Sequence, residues 1–294
     1  MSGFSADWLA LRESFDREAR RAASSSFDLG GLAARLRGGD SVLTVLDLAC
    51  GTGANLRELA PRLGGVQRWT LVDHDPRLLA AVPGAMASWC RTQGLSLVAS
   101  NGGLRFEGPG LTVEVEMLTC DLAQPFDAAS FGRHRLITAS ALLDLVSARW
   151  IDGLAQCARD AEAALLFALS VDGCVEWQPP LSGDEEIHRL FASHQRRDKG
   201  FGPALGGDAV QHAAARLSAL GYEVAQAASD WHVDGTNGAR SMAMLRAMIE
   251  GAAAAAQEQD PAVTSIEGWM ARRLERIAST TLRVGHRDLL ATLP

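Results

Sequence analysis

The feature that most constrains the fold of this chain is a glycine turn between an apolar run and an amphipathic segment. The run 45–48 has the composition of a buried strand, glycines follow at positions 51 and 53, and a helix is predicted over 54–63. Glycine has no Cβ, so the backbone can bend tightly and approach a ligand closely. The free N–H groups at the start of the helix would face that ligand. The sequence therefore predicts a strand–turn–helix unit that binds a small molecule.

The residues of this turn follow a recognisable pattern, an acid followed by small residues at every second position. Asp47, Ala49, Gly51 and Gly53 fit acid–x–Gly/Ala–x–Gly–x–Gly, which resembles motif I of the class I S-adenosylmethionine (SAM)-dependent methyltransferases. The resemblance implies SAM as the cofactor and these four residues as part of its site. A dinucleotide site for NAD or FAD is the alternative, but it favours Gly or Ala at the position of Leu56. A turn that only joins a strand to a helix is a further alternative.

The next predicted strand, 68–73, ends in an acid. Asp73 lies 20 residues beyond Gly53, where a carboxylate can accept hydrogen bonds from both hydroxyls of a ribose. His74 follows it and is included in the predicted cofactor site. Asp75 precedes Pro76 and is interpreted as the N-cap of the next helix. A solvated loop acid is the alternative interpretation of Asp73.

Two later strand ends match the same family in the same order. The resemblance implies that Asp121 holds the adenine amino group and that the backbone N–H of Leu122 contacts the adenine ring. Ser140 follows a strand predicted at 136–139 and would let the methionine arm of SAM pass. Asp144 follows Ser140, and it is predicted to be catalytic, as a base or substrate anchor, or else to cap the next helix.

The predicted strands alternate with helices, which indicates an α/β fold. The prediction is a Rossmann-like, seven-stranded, doubly wound sheet with an N-terminal helical cover and helical insertions, and the resemblance implies an antiparallel last strand. Residues 1–40 would form the cover and 41–294 the SAM-binding domain. Within that domain, 171–207 is predicted as a substrate insertion and 238–280 as a helical pair. Residues 95–118 are predicted as a hairpin that turns at Asn101–Gly102–Gly103.

The predicted insertion contributes most of the candidate substrate and catalytic residues. Lys199 is the only lysine in the chain, and a compact ammonium has properties that the planar guanidinium lacks. Lys199 and His194 are therefore predicted to be catalytic beside Asp144, with His188 and His232 as other candidates for a base. Trp177 and Arg197 of the insertion are predicted to bind substrate.

Two further candidates lie outside the insertion. Trp231, which follows a predicted strand, is predicted to bind substrate, although a buried tryptophan of the core is the default. Arg20 lies on the predicted N-terminal helix and is predicted to pair with the carboxylate of SAM through a bidentate contact. An exposed salt-bridge face is an equal alternative for that arginine.

Composition and charge restrict the partners. The chain has 28 Lys and Arg against 35 Asp and Glu, a net charge of −7, which disfavours a nucleic-acid surface. It has no apolar stretch of membrane-spanning length, and acids near the N-terminus disfavour a targeting peptide. Five scattered cysteines indicate reduced thiols, so a cytoplasmic location is predicted. The Arg- and Ala-rich composition suits a bacterial protein, and no metal ligands are predicted.

Motifs of several methyltransferase subclasses are missing. One lysine excludes the Lys–Asp–Lys–Glu tetrad of ribose methylation, and there is no Asn/Asp–Pro–Pro–Tyr/Phe motif of amino methylation. The sequence therefore predicts methyl transfer from SAM to an O, N or C nucleophile of a small-molecule substrate by in-line displacement. The alternatives are a methyltransferase that acts on a macromolecule, such as a protein or tRNA, and a non-catalytic SAM-binding protein.

Overall fold

The structure is a computed structural model, and it describes residues 5–100, 103–124 and 132–294. The helices are α1 (Ala6–Ala23), α2 (Leu29–Arg37), α3 (Ala54–Leu63), α4 (Pro76–Gln93), α5 (Ala148–Asp160), α6 (Asp184–Gln195), α7 (Ala209–Ala219), α8 (Ala239–Gln259) and α9 (Ser265–Glu275). The strands are β1 (Val42–Leu48), β2 (Gly65–Asp73), β3 (Ser96–Ser100), β4 (Gly103–Gly108), β5 (Leu111–Thr119), β6 (Leu136–Ser140), β7 (Ala164–Gln178), β8 (Glu223–Ala228), β9 (Trp231–Asp234) and β10 (Thr281–Thr292). None of the helices among the described residues is both long and apolar enough to cross a membrane.

The strands of the described residues form one mixed sheet in the order β3-β4-β5-β2-β1-β6-β7-β10-β8. Strands β5, β2, β1, β6 and β7 pair in parallel. Strand β10 enters antiparallel between β7 and β8, and its first residues also pair with β9. From β1 the chain proceeds outward through β2 on one side and through β6 on the other, so the strand order reverses at the β1–β6 boundary.

Helices cover both faces of the sheet, as a doubly wound fold requires. On one face α2, α3 and α4 enclose a core that includes Trp69 and Phe106, both fully buried. On the other face α5 and α7 pack over β6 and β7. Local signals start these helices: Asp75 caps α4 ahead of Pro76, and the hydroxyl of Ser147 accepts the Trp150 N–H at the start of α5.

A third layer, the helical cap, lies beyond the carboxyl ends of the parallel strands. It consists of α1, α6, α8 and α9 together with β9 and the adjoining ends of β7 and β10, and it has its own apolar core. Trp269 of α9 is buried there, and its indole N–H donates to Asp184 at the start of α6. The Arg273 guanidinium also bonds to Asp184, so α6 and α9 are joined by a buried ion pair.

The predicted seven-stranded doubly wound frame with an antiparallel last strand is confirmed, and three strands are added to it. The segment 95–118 forms two antiparallel pairs, β3–β4 and β4–β5, where one hairpin was predicted. Residues 101 and 102 of the predicted turn lie outside the described residues. Strand β7 extends to Gln178 because its second half pairs with β10, so the first residues of the predicted insertion 171–207 belong to the sheet.

Candidate functional site

The candidate site lies at the carboxyl ends of β1 and β6, where the strand order reverses. Ligands of open α/β sheets bind in the crevice outside the carboxyl ends at such a reversal. The glycine turn, residues 49–53, follows β1, and Ser140 and Ala141 follow β6. These segments and residues of α1 line a small cavity of about 60 Å³, called the inner cavity below.

The glycine turn has a backbone that glycine favours. The φ angles of Ala49, Gly51 and Gly53 are 52°, 56° and 78°, in the left-handed region. A Cβ at Gly53 would lie 2.8 Å from the terminal methyl carbon of Met86 on α4. The turn is therefore compact because of both conformation and packing, and it directs the first N–H groups of α3 toward the crevice.

Asp73, at the end of β2, holds this turn in place. Its carboxylate oxygens accept the backbone N–H groups of Gly51 at 2.8 Å and of Asp75 at 3.0 Å. The side chain is buried, whereas the neighbouring His74 side chain is exposed and lies 3.4 Å from the Asp73 carboxylate. Asp73 thus links the turn after β1 to the start of α4, one strand away from the reversal.

Asp47, the last acid of β1, lies at the centre of a buried polar network. The side-chain amide of Asn55 donates to Asp47 Oδ1 at 2.7 Å and to the hydroxyl of Thr138 at 3.0 Å. Asp47 Oδ2 is buried and has no hydrogen-bond partner among the described residues. Burial raises the pKa of the Asp47 carboxyl to about 7, against the opposing effects of Asn55 and Arg20. This carboxylate borders the inner cavity and has one oxygen free to accept a donor.

Helix α1 covers the crevice. The side chain of Leu9 approaches so closely that its Cδ1 atom would lie 3.0 Å from a Cβ at Gly51. Arg20, also on α1, donates from Nη1 to Asn55 Oδ1 at 2.8 Å, and its Nε is unpaired among the described residues. Farther along the crevice, the Arg57 guanidinium of α3 donates two hydrogen bonds to Glu13 of α1.

Asp144 lies in the short 3-10 turn after β6 and is buried. Burial raises the pKa of its carboxyl to about 6, while the nearby cationic groups of Arg12 and Lys199 act to lower it. Burial lowers the pKa of the Lys199 ammonium, which donates to the carbonyl of Gln195 at 2.6 Å. Asp144 and Lys199, which the sequence separates by 55 positions, thus lie near enough for the charge of each to act on the pKa of the other.

Arg12 connects this region to the helical cap. Its guanidinium bonds to Asp16 at 2.9 Å and lies 4.8 Å from the ring centre of Trp231. The Trp231 indole N–H also donates to Asp16. The Trp231 ring packs against His286, whose pKa is lowered to about 4, chiefly by burial. Trp231 therefore contacts residues at the edge of the inner cavity. It is also buried, which agrees with the alternative that it is a tryptophan of the core.

Other predicted site residues lie elsewhere. The His194 ring bonds to the Glu258 carboxylate at 3.0 Å and Arg197 donates to the Glu258 carbonyl, both at the end of α8. Trp177 packs edge-on against Trp269 inside the helical cap. The structure does not bring these three residues to the inner cavity. His188 is partly buried on α6, and His232 is exposed on β9.

Asp121 and Leu122 follow β5 at the far side of β2. The Asp121 carboxylate accepts the N–H of Ala123 at 2.9 Å and a side-chain N–H of Gln124, and these bonds lower the pKa of the carboxyl. Leu122 is buried, and its carbonyl accepts the indole N–H of Trp150. The two residues are placed at the same edge of the sheet as Asp73, and the N–H of Cys120 donates to the Asp73 carbonyl.

No family model matches this sequence, and no curated protein sequence matches it either. Solved structures with a similar arrangement include phosphoethanolamine N-methyltransferase 2 from Haemonchus contortus, in complex with phosphomonomethylethanolamine and S-adenosylhomocysteine. That protein is 12% identical to this chain, with a TM-score of 0.45, and the match covers 100% of this chain and 58% of that one. An O-methyltransferase family protein from Burkholderia thailandensis is 16% identical, with a TM-score of 0.43, over 96% and 60%. A SAM-dependent methyltransferase from Thiobacillus denitrificans, in complex with S-adenosyl-L-homocysteine, is 15% identical, with a TM-score of 0.39, over 90% of each chain.

The chain spans about 60% of the length of the first two of these proteins. Identities of this size with TM-scores below 0.5 carry no argument about the activity of this chain.

Several residues of the inner cavity had no signal of their own in the sequence. Leu9, Arg12 and Asp16 look like ordinary members of an amphipathic helix, and their position depends on how α1 packs on the sheet. Asn55 lies at the start of the predicted helix 54–63, but its bond to Asp47 spans eight residues and requires the turn to be closed. The sequence itself shows only a polar residue just inside a predicted helix start, and the structure adds that this residue is buried and therefore needs hydrogen-bond partners.

Proposed function

We propose that this protein is a SAM-dependent methyltransferase that acts on a small-molecule acceptor. The observation that carries the proposal is the grouping of three features at the reversal of strand order. These are the glycine turn after β1, the buried Asp47 carboxylate with one unpaired oxygen, and Asp73 at the end of the neighbouring strand. They are the positions where the motif resemblance puts a cofactor that has an amino acid part and a ribose.

The chemistry of these groups fits SAM. The Asp47 Oδ2 atom is a buried acceptor, suited to an ammonium group. The N–H groups at the start of α3 favour a carboxylate, because they carry the positive end of the helix dipole. Asp73 would accept from ribose hydroxyls, and Asp121 and Leu122 would hold adenine. Leu56 is fully buried and fills the place where a dinucleotide fingerprint has Gly or Ala, which favours SAM over NAD.

SAM supplies an electrophilic methyl group on a sulfonium. The contribution of the protein would be to position the acceptor and to exclude water from the crevice. Helix α1 already covers the crevice through Leu9, which separates the glycine turn from bulk solvent. Positioning and desolvation need no covalent participation by side chains.

A base is required only when the acceptor carries a proton. Asp144 is the strongest candidate, since burial raises its pKa to about 6 and its carboxylate can accept a proton near neutral pH. The cationic groups of Arg12 and Lys199 nearby favour its ionised form. His194 is engaged with Glu258 and would have to leave that bond to act.

The test is a calorimetric titration with SAM, S-adenosylhomocysteine and NAD. We expect micromolar binding of SAM and S-adenosylhomocysteine and weaker binding of NAD. Asp73→Asn should weaken S-adenosylhomocysteine binding by about 10- to 100-fold, since a hydrogen bond to a charged group contributes about 1.5–3 kcal/mol. No binding, or tighter binding of NAD, contradicts the proposal.

Asp234→Asn is the matched control for that titration. The Asp234 carboxylate also accepts a backbone N–H, that of Thr236, but in an exposed turn after β9. Affinity for S-adenosylhomocysteine should be unchanged in this variant. Thermal melting of both variants separates a loss of binding from a loss of folding, because Asp73 also supports the glycine turn.

A further inference from the structure

A second, larger cavity lies between the helical cap and the first turn of α4. It has a volume of about 740 Å³, within the 300–1,000 Å³ typical of small-molecule sites. Its wall is mainly apolar and is contributed by four helices, with Trp8 on α1, Leu78 on α4, Phe191 on α6 and Met248 on α8. We call this the outer cavity.

The charged groups in this wall compensate each other. The Arg77 guanidinium bonds to the Asp75 carboxylate at 2.8 Å, and the backbone N–H of Arg77 also donates to that carboxylate. The two contacts together lower the pKa of the Asp75 carboxyl to about 2. The pair is therefore ionised on both sides near neutral pH, with no net charge. An apolar wall with one neutralised ion pair favours a neutral ligand over an anion or a cation.

The outer cavity and the inner cavity are separated by the first turn of α1. Trp8 faces the outer cavity, while Leu9, the next residue, lies over Gly51 in the inner cavity. The backbone of Asp75, at the edge of the outer cavity, donates to Asp73 beside the glycine turn. The first turn of α1 is thus a wall that the two cavities share.

From this arrangement we propose that the outer cavity binds the methyl acceptor, and that the acceptor is a neutral, mainly apolar molecule with at least one ring. This inference rests on the proposed function, and it names a substrate class that the cofactor site does not define. Trp8 and Phe191 would provide aromatic surface for the ring. A heteroatom or nucleophilic carbon of the acceptor that reaches toward the glycine turn past Leu9 would form a bond to the methyl group as the methyl–sulfur bond of SAM breaks. The electron pair of that bond stays on sulfur and S-adenosylhomocysteine leaves, while any proton on the attacking atom passes to a base such as Asp144 or to solvent.

The experiment uses N-phenyl-1-naphthylamine, a neutral fluorescent probe with two aromatic groups, and a glycine in the cavity wall. Gly251 of α8 lines the outer cavity, and a Cβ there would meet nothing within 4 Å. Gly251→Trp places a large side chain in the cavity without replacing a packed residue. Gly84 of α4 is a matched control, since it is also helical, also has open space around its Cβ, and does not line the cavity.

We expect the probe to bind the wild-type chain and Gly84→Trp equally, and to bind Gly251→Trp about tenfold more weakly or worse. S-adenosylhomocysteine affinity should be the same in all three proteins. Equal probe binding by Gly251→Trp, or no probe binding at all, overturns the inference. Loss of S-adenosylhomocysteine binding in Gly251→Trp alone also overturns it, because the outer cavity would then belong to the cofactor.

The two proposals can fail separately. If wild type binds the probe but not S-adenosylhomocysteine, the methyltransferase proposal fails, and the inference about a methyl acceptor fails with it. If wild type binds S-adenosylhomocysteine and the probe binding does not depend on position 251, only the inference fails.

Discussion

Asp47 combines complete burial with a half-satisfied carboxylate. Oδ1 accepts from Asn55, and Oδ2 has no partner among the described residues. Ionised carboxylates in such surroundings are costly, which is why the pKa is raised from 3.8 to about 7. The site therefore retains a group that costs stability at neutral pH, as is common where a carboxylate serves a ligand.

This cost gives a pH-dependent prediction. Because the pKa of Asp47 is higher in the folded state than in the unfolded state, its stabilising contribution is complete below about pH 4 and is lost as pH rises through 7. At about 1.4 kcal/mol per pKa unit, the loss has a ceiling of about 4 kcal/mol. Asp47→Asn should therefore raise the free energy of unfolding more at pH 8 than at pH 5, as measured by urea denaturation.

His286 has the opposite dependence, because its folded pKa of about 4 is below its ordinary value of 6.5 and its contribution is lost as pH falls. The quantity to compare is thus the difference between variant and wild type, in which His286 cancels. Asp234→Asn is the control, since the pKa of that carboxyl is lowered and it stays ionised from pH 5 to 8. An Asp47→Asn difference that is the same at pH 5 and pH 8 contradicts the prediction.

At the residue scale the sequence was informative where function depends on local geometry. The glycine turn and the Asp75 cap follow from short-range rules, and both are found in the structure. Contacts between residues far apart in the sequence could not be predicted from such rules. The proximity of Asp144 and Lys199 depends on how the segment after α6 folds back, and the bond between His194 and Glu258 joins residues 64 positions apart.

At the scale of elements, α1 controls access to the candidate site. Its polar contacts to other elements include Arg20 to Asn55, Glu13 to Arg57, Asp16 to Trp231 and the Ala10 carbonyl to the Arg240 guanidinium. The inner cavity beneath it, about 60 Å³, is well below the size of ordinary ligand sites. Admission of a cofactor therefore requires α1 to move, a motion typical of lids.

Leu9 and Leu11 provide a test of this motion. Leu9 lies over Gly51, whereas Leu11 packs against the apolar core of the helical cap. Leu9→Ala should speed the association of S-adenosylhomocysteine by about threefold or more, because the obstruction over the turn is smaller. Stopped-flow tryptophan fluorescence measures the rate. Leu11→Ala is the control, and equal association rates in the two variants would show that Leu9 does not limit entry.

Elements were predicted well when their pattern was strictly local. Helix α4 begins at Pro76, directly after the predicted Asp75 cap, and Gly94 marks its other end. Strand β7, by contrast, runs into residues 171–207, which were predicted as a substrate insertion. Its continuation to Gln178 is stabilised by pairing with β10, and strand propensity depends on such partners more than on the residues themselves.

At the scale of the whole molecule, the sheet is completed by the last strand in the chain order. Strand β10 pairs with β7, β8 and β9, and it carries the buried residues Leu282, Leu289 and Ala291. Helix α1, in contrast, lies over the carboxyl ends of the central strands and contributes to none of the strand pairings. The two ends of the chain therefore have different importance for folding.

A pair of truncations measures this difference. A chain that ends at residue 280 should lose cooperative unfolding and aggregate, because β7 and β8 lose their common neighbour. A chain that begins at residue 24 should keep the sheet and unfold cooperatively, although at lower temperature, since it loses the buried Phe15 and Ala19. Far-ultraviolet circular dichroism and gel filtration report both outcomes. A monodisperse, cooperatively unfolding 1–280 chain would contradict the assigned role of β10.

The position of β10 also has a consequence for synthesis on the ribosome. Gln178 at the end of β7 pairs with Thr281, so the edge of β7 stays unpaired until about 100 further residues have been synthesised. At about 5–20 residues per second, that interval lasts roughly 5 to 20 s. During it the nascent chain displays the open edge of β7, a template for unwanted pairing between chains. Dense polysomes would bring such edges together, so holding chaperones should matter more for the yield of this protein than its final stability suggests.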